Sequence, residues 1–216
     1  MTRMMSRTHS LAIAILAVVM AGAVGGGMSV SAKPAERAGG LALGSPAPDF
    51  HLKDVVSGKL VSKDDAAKQP ALLVMFICRH CPYVQHVKPG LAKLGRDYQG
   101  RPLAIVAISS NDAEKVPMDA PESLKEMAQE AGFTFPVLFD KTQEVAKAYD
   151  ARHTPEYYLF DAKRRLVYHG QFDDSRPGNA KPLTGADLRA AIDAVLAGQP
   201  VSAKQKSSFG CSIKWK

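Results

Sequence analysis

The stretch ALLVMFICRHCPYVQH, residues 71 to 86, constrains this chain more than any other. Residues 71 to 77 form a continuous apolar run of strand length, the pattern of a strand buried on both faces of a sheet. Cys78 and Cys81 follow at once, two residues apart. Beyond them Val84, Val87, Leu91, Leu94 and Tyr98 recur at spacings of three and four, which is one face of a helix. Pro82 suits the first turn of that helix, whereas Pro89 lies in its interior and predicts a kink.

The rest of the chain alternates in the same way. GSPAPDFHLKDVVSGKLVSKDD predicts a hairpin, and RPLAIVAISS a second buried strand. After the loop NDAEKVPMDA, Pro121 opens a helix with Leu124, Met127, Ala128 and Ala131 on one face, ended by Gly132. FPVLF reads as a short strand and TQEVAKAYD as a short helix, and EYYLFD and RLVYHGQF read as two antiparallel strands. Thr184 predicts the cap of a last helix, with Asp187 three residues on and Gly198 at its end. Helices between buried strands imply a partly parallel sheet covered on both faces.

Arg3, Arg7, the apolar segment LAIAILAVVMAGAVGG and the small residues ending at Ala32 read as a secretory signal over residues 1–32; the alternative is an uncleaved anchor. Residues 33–44 read as a flexible leader, 45–198 as one domain and 199–216 as a basic tail. The chain carries +7, and without the leader's two arginines it keeps 26 cationic against 21 acidic residues, or +5. The tail holds four lysines and no acid, a pattern of a solvated end or of a surface for an acidic partner or membrane. No aromatic-basic array suggests nucleic acid. The expected location is therefore outside the cytoplasm, in the periplasm or secreted, with membrane contact only through an uncleaved leader.

In an exported chain, disulfide chemistry is available to cysteines. A Cys between a buried strand and a helix faces unpaired N–H groups and the positive end of the helix dipole, which lowers its pKa. On that reading Cys78 is the attacking thiol, tuned by Arg79 and His80, and Cys81 resolves the mixed disulfide. A bridge serving only stability is the weakest alternative, because so small a loop removes little unfolded-state entropy. A copper clamp from Cys78, Cys81 and His80 or His86 is the stronger alternative. Cys211 is the odd third cysteine: either a third redox thiol folding back on the pair, or a free or intermolecular thiol, the second being preferred.

GSPAPDFHL, MFICRHCPYV, HTPEYYLFD, GQFDD and the GCSIKW tail together resemble the thioredoxin-like redoxins, in the AhpC/TSA-type branch with a CxxC site. The resemblance implies an α/β thioredoxin-like fold, a central mixed β-sheet flanked by helices, with an N-terminal hairpin and a redoxin-type insertion. It also implies a cis-proline at Thr154-Pro155 facing Cys78 and Cys81, where Thr154 and Pro155 would bind an extended substrate segment. His153 stands where relatives often carry Cys, and becomes a candidate for tuning the thiols. The implied activity is thiol-disulfide oxidoreduction on protein disulfides with an unidentified electron-transfer partner and no cofactor. A peroxide-reducing antioxidant redoxin is the alternative enzyme, and a copper-delivery protein the alternative outside enzymes. Ile77 stands where thioredoxins have Trp, and Met75 three residues before Cys78 leaves the peroxidase Thr-x-x-Cys pattern unmatched.

Overall fold

The computed structural model describes residues 41–216. The leader expected at 1–32, and all but the last four residues of the segment 33–44, lie outside the described residues. Among the described residues no helix is long and apolar enough to cross a membrane.

The expected hairpin is β1 (His51–Asp54) and β2 (Leu60–Ser62), paired antiparallel. Asp54 ties its turn: one carboxylate oxygen takes the Ser57 N–H at 2.9 Å, and the other takes the Val137 N–H at 3.0 Å. The apolar run becomes β3 (Ala71–Phe76), buried at every residue, and leads into α1 (Pro82–Asp97). Pro89 sits inside α1, which is continuous across it. Next come β4 (Leu103–Ser109), α2 (Pro121–Ala131), β5 (Val137–Phe139) and α3 (Glu144–Ala148). Gly132 ends α2 in the left-handed region, at φ 65°. Two residues, His153–Thr154, make β6, followed by β7 (Glu156–Phe160), β8 (Leu166–Gly170), α4 (Ala186–Leu196) and β9 (Cys211–Ser212).

The seven-stranded sheet has the order β2-β1-β5-β4-β3-β7-β8. β3, β4 and β5 run parallel, and β1 and β7 flank them antiparallel. Because side chains alternate across a strand, β3 divides the core by parity. Leu73, Met75 and then Ile77 pack with Val84 and Leu91 of α1, Met127 of α2 and Ile192 of α4. Leu72, Val74 and Phe76 pack on the other face with Val145 of α3, Tyr149, Tyr158 and Ile213. Each such side chain, fully withdrawn from water, contributes roughly 1.5–3 kcal/mol.

The last helix departs from its expected cap. α4 begins after Gly185, and Asp187 accepts from Gln171 Nε2 at 2.6 Å instead of closing a box with Thr184. The N–H of Thr184 goes to Asp173, at 2.7 Å, and so does that of Gly185. A buried carboxylate from a preceding loop thus serves the helix start, which local spacing does not reveal. The tail after α4 is not a solvated end either. β9 pairs antiparallel with β6, and Ile213 is buried.

Candidate active site

β3 delivers the cysteines. Ile77 still bonds β4, its N–H giving 2.9 Å to Ile108 O, and the chain then turns through Cys78 to Cys81. Both are 0 % exposed. α1 starts at Pro82, which needs no N–H partner at that position, so Cys81 and not Cys78 is the residue capping the helix.

The surroundings of the two sulfurs differ. The Cys78 thiol bonds the Cys81 sulfur, and further donors reach Cys81 from the Cys211 thiol and from the N–H groups of Val84 and Cys211. Together they hold the Cys81 thiol well below the usual range. Cys78 is pushed up, first by the proton it shares with Cys81, then by burial and by the charge of Asp119. The expectation placed the thiolate on Cys78; the helix N-terminus lies three residues later, at Cys81. The Cys81 sulfur lies 3.2 Å from Thr154 O; as a thiol it donates there, and on ionisation it keeps the donors from Cys78, Cys211 and Val84.

Sequence reasoning missed Asp119. It is 0 % exposed, in a single 3-10 turn before α2. Its Oδ1 accepts the N–H of Arg79 at 2.7 Å and of His80 at 3.0 Å, so it holds the backbone between the two cysteines. Its Oδ2 meets His80 Nδ1 at 2.5 Å and Asn111 Nδ2 at 2.8 Å. A lone Asp in a Pro- and Met-containing loop gives no pattern to find. The guanidinium of Arg79, expected to tune the sulfurs, turns to α2, meeting Glu126 at 2.6 Å, Glu130 at 3.5 Å and Ser123 O at 2.7 Å. His80 is beside Cys78 through its bond to Asp119: one ligand-type atom each from Cys78, His80 and Asp119 lie within 4.8 Å of one another.

The Thr154-Pro155 bond is cis. Thr154 Oγ1 lies 3.0 Å from Cys78 Sγ, so Thr154 touches both sulfurs. Pairing of Thr154 with Cys211 and of His153 with Ser212 lays the tail along this strand. At Gly210 an added Cβ would stand 1.9 Å from Thr154 O, so only glycine admits that approach. Cys211 is half-buried, and its thiol is raised to about 11 by burial and by its bond to Cys81.

His153, also expected to tune the thiols, bonds Ser208 Oγ through Nε2 at 3.0 Å and so ties down the tail. Glu156, one residue past the proline, is on the other face of β7, buried, where it takes the N–H of Arg152 at 2.8 Å and pairs with His169 Nε2 at 2.7 Å. His86 directs Nε2 to Ser175 Oγ at 2.8 Å. The ligand set Cys78, Cys81 and His86 is therefore not assembled; among the described residues the cluster with metal-ligand spacing is Cys78, His80 and Asp119. Cys81 and His86 stand five residues apart, about 1.4 helical turns, so the helix aims them differently.

Residues 43–169 match the AhpC/TSA family. A thiol-disulfide oxidoreductase ResA from Geobacillus thermodenitrificans is 25% identical over 126 residues, 58% of this chain and 67% of that protein. The chain thus spans about two thirds of the length of such curated relatives, 64% in the case of the Geobacillus kaustophilus ResA. An uncharacterized conserved protein from Geobacillus kaustophilus superposes with a TM-score of 0.79 at 53% identity, covering 81% of this chain and 93% of that one. A hypothetical protein from Sinorhizobium meliloti 1021 gives 0.80 at 50% identity, with 82% and 96% covered. Structures named as thioredoxins, disulfide isomerases or thiol-disulfide exchange proteins, 18 to 24% identical with TM-scores of 0.53 to 0.58, share the thioredoxin-like fold.

Proposed function

The chain belongs to the AhpC/TSA family, and from that premise we propose that it is an exported thiol-disulfide oxidoreductase acting on protein disulfides through Cys78 and Cys81. The observation that carries this reading is the placement of two buried thiols on one residue, Thr154 of the cis-proline pair, with Cys81 at a helix N-terminus.

The reaction is an exchange. Thiolate charge resides on Cys81, and the pair gives up two electrons to an external disulfide, whose sulfurs leave as two thiols. Cys78 closes the internal Cys78–Cys81 disulfide. Asp119 fixes the intervening backbone, so the two sulfurs stay in register through the cycle. Thr154 donates to the Cys78 sulfur and steadies it when its proton moves to Cys81. A second dithiol protein would return the chain to its reduced state. The leader pattern at 1–32 supports action in the periplasm or beyond the cell, where disulfide substrates persist.

The test is reduction of insulin by the parent, Cys78→Ser and Cys81→Ser, with peptide mapping of the oxidised parent. Loss of activity by at least 100-fold in both variants, with a Cys78–Cys81 bridge in the parent, is expected. Full activity in Cys78→Ser would sink the reading. Amino-terminal sequencing of the chain recovered from a periplasmic extract, starting near Lys33, checks the export.

A further inference from the structure

We propose that Cys211 is a third catalytic thiol, the one that meets the external disulfide and hands it inward to Cys81; this rests on the oxidoreductase reading above. Cys78 and Cys81 have no exposed surface, so an incoming protein disulfide does not reach them in the closed form. Cys211 has partial exposure, and it pairs with Thr154, whose carbonyl oxygen lies 3.2 Å from the Cys81 sulfur.

The tail also occupies the place an extended substrate would take. A peptide docking at the cis-proline pairs with an open strand edge, and here β9 already pairs with that edge, Thr154 opposite Cys211. The fit is built from both sides of Cys211. Upstream, Phe209 packs edge-on to Tyr83 of α1 with centroids 5.1 Å apart, and Ser208 bonds His153. Downstream, Ile213 is buried in the core under the sheet, its N–H reaching Arg152 O at 3.0 Å, and Lys214 N–H reaches Asn111 Oδ1 at 2.8 Å. A substrate mimic that is anchored on both sides, with its own cysteine at the reactive position, is arranged to react and not only to cover.

Cys211 attacks one sulfur of the external disulfide while its proton passes to the departing external sulfur; a mixed disulfide forms on Cys211, and the other external sulfur leaves as a thiol. Cys81, as the thiolate, then attacks the Cys211 sulfur, forming Cys81–Cys211, and the second external sulfur leaves as a thiolate that takes a proton from water. Cys78 attacks Cys81, forming Cys78–Cys81, and its proton passes to Cys211. One external disulfide has become two thiols, and the three protein sulfurs hold one disulfide and one thiol.

Two variants trap the intermediates with oxidised glutathione as the probe. Cys81→Ser is expected to carry glutathione on Cys211, and Cys78→Ser to form an intramolecular Cys81–Cys211 bridge, both read by peptide mapping without reduction. Glutathione on Cys78 with Cys211 unmodified, or no Cys81–Cys211 bridge in Cys78→Ser, overturns the proposal. Cys211→Ser is expected to reduce insulin at least tenfold more slowly while still closing Cys78–Cys81 with a small cyclic disulfide oxidant. Parent-like insulin reduction by Cys211→Ser, with Cys78→Ser inactive, overturns the relay and leaves the oxidoreductase reading intact. Parent protein that neither reduces insulin nor closes Cys78–Cys81 overturns the oxidoreductase reading itself.

Discussion

Gly210→Ala gives a direct test of what shields the cysteines. The new Cβ would stand 1.9 Å from Thr154 O and 2.5 Å from Thr154 C, against a closest real approach of 3.0 Å, so the tail must back away by at least 1.1 Å. Both obstructing atoms are backbone and cannot rotate aside. The retreat breaks the β6–β9 pairing and the two bonds from Cys211 to Cys81. With a net worth of about 0.5–1.5 kcal/mol per bond, three or four bonds amount to about 3 kcal/mol. Every 1.4 kcal/mol is tenfold, so the tail-open population rises on the order of 100-fold. The assay is iodoacetamide alkylation of the reduced protein at neutral pH, with modified peptides counted over time. When opening is fast compared with alkylation, the rate follows the open population. Cys81 should react at least tenfold faster in Gly210→Ala than in the parent. An unchanged Cys81 rate would refute the reasoning, because the sulfurs would then be shielded by something other than the tail.

Asp119→Ala should lower stability by about 3 kcal/mol or more, since it orphans the N–H groups of Arg79 and His80 and the Asn111 amide; urea unfolding measures it. Asp119→Asn keeps the volume and removes the charge that raises Cys78, so absorbance near 240 nm should show the second thiolate forming at lower pH than in the parent. Arg79→Ala should change insulin reduction less than threefold, because its guanidinium serves α2; a tenfold loss would place it back at the sulfurs. Glu156 is held below its ordinary value: burial alone would raise it, but His169 and the backbone of Arg152 outweigh that, and the nearby His153 adds to the lowering. A carboxyl depressed in the folded state contributes stability above its unfolded pKa of about 4.3 and loses it as pH falls through the folded value. The melting-temperature gap between parent and Glu156→Gln should therefore be largest at pH 7 and shrink toward pH 3; a constant gap would contradict the assignment.

Most of the sheet and its helices were legible because burial writes a period into the sequence. The unbroken apolar run of β3 and the three-and-four spacing of α1 and α2 each named their element, and the HTP motif, through the resemblance, named the cis-proline. What escaped depends on contacts between residues far apart in the chain. Asp119 bonds backbone 39 and 40 residues away, and β9 pairs with β6 across more than 50 residues. A two-residue strand has too few positions to show alternation. Pro82 does open α1, which makes Cys81 the cap, a step the strand-to-helix junction alone does not show.

The division between the two sheets gives the tail a further consequence. Every strand of the seven-stranded sheet precedes Cys211 in the chain, and β9 pairs with β6 in a separate sheet of two. The frame that carries Cys78 and Cys81 therefore owes none of its own strand pairing to the strand that covers them. Cover and frame are separable parts, joined at this edge by a ladder only two residues long.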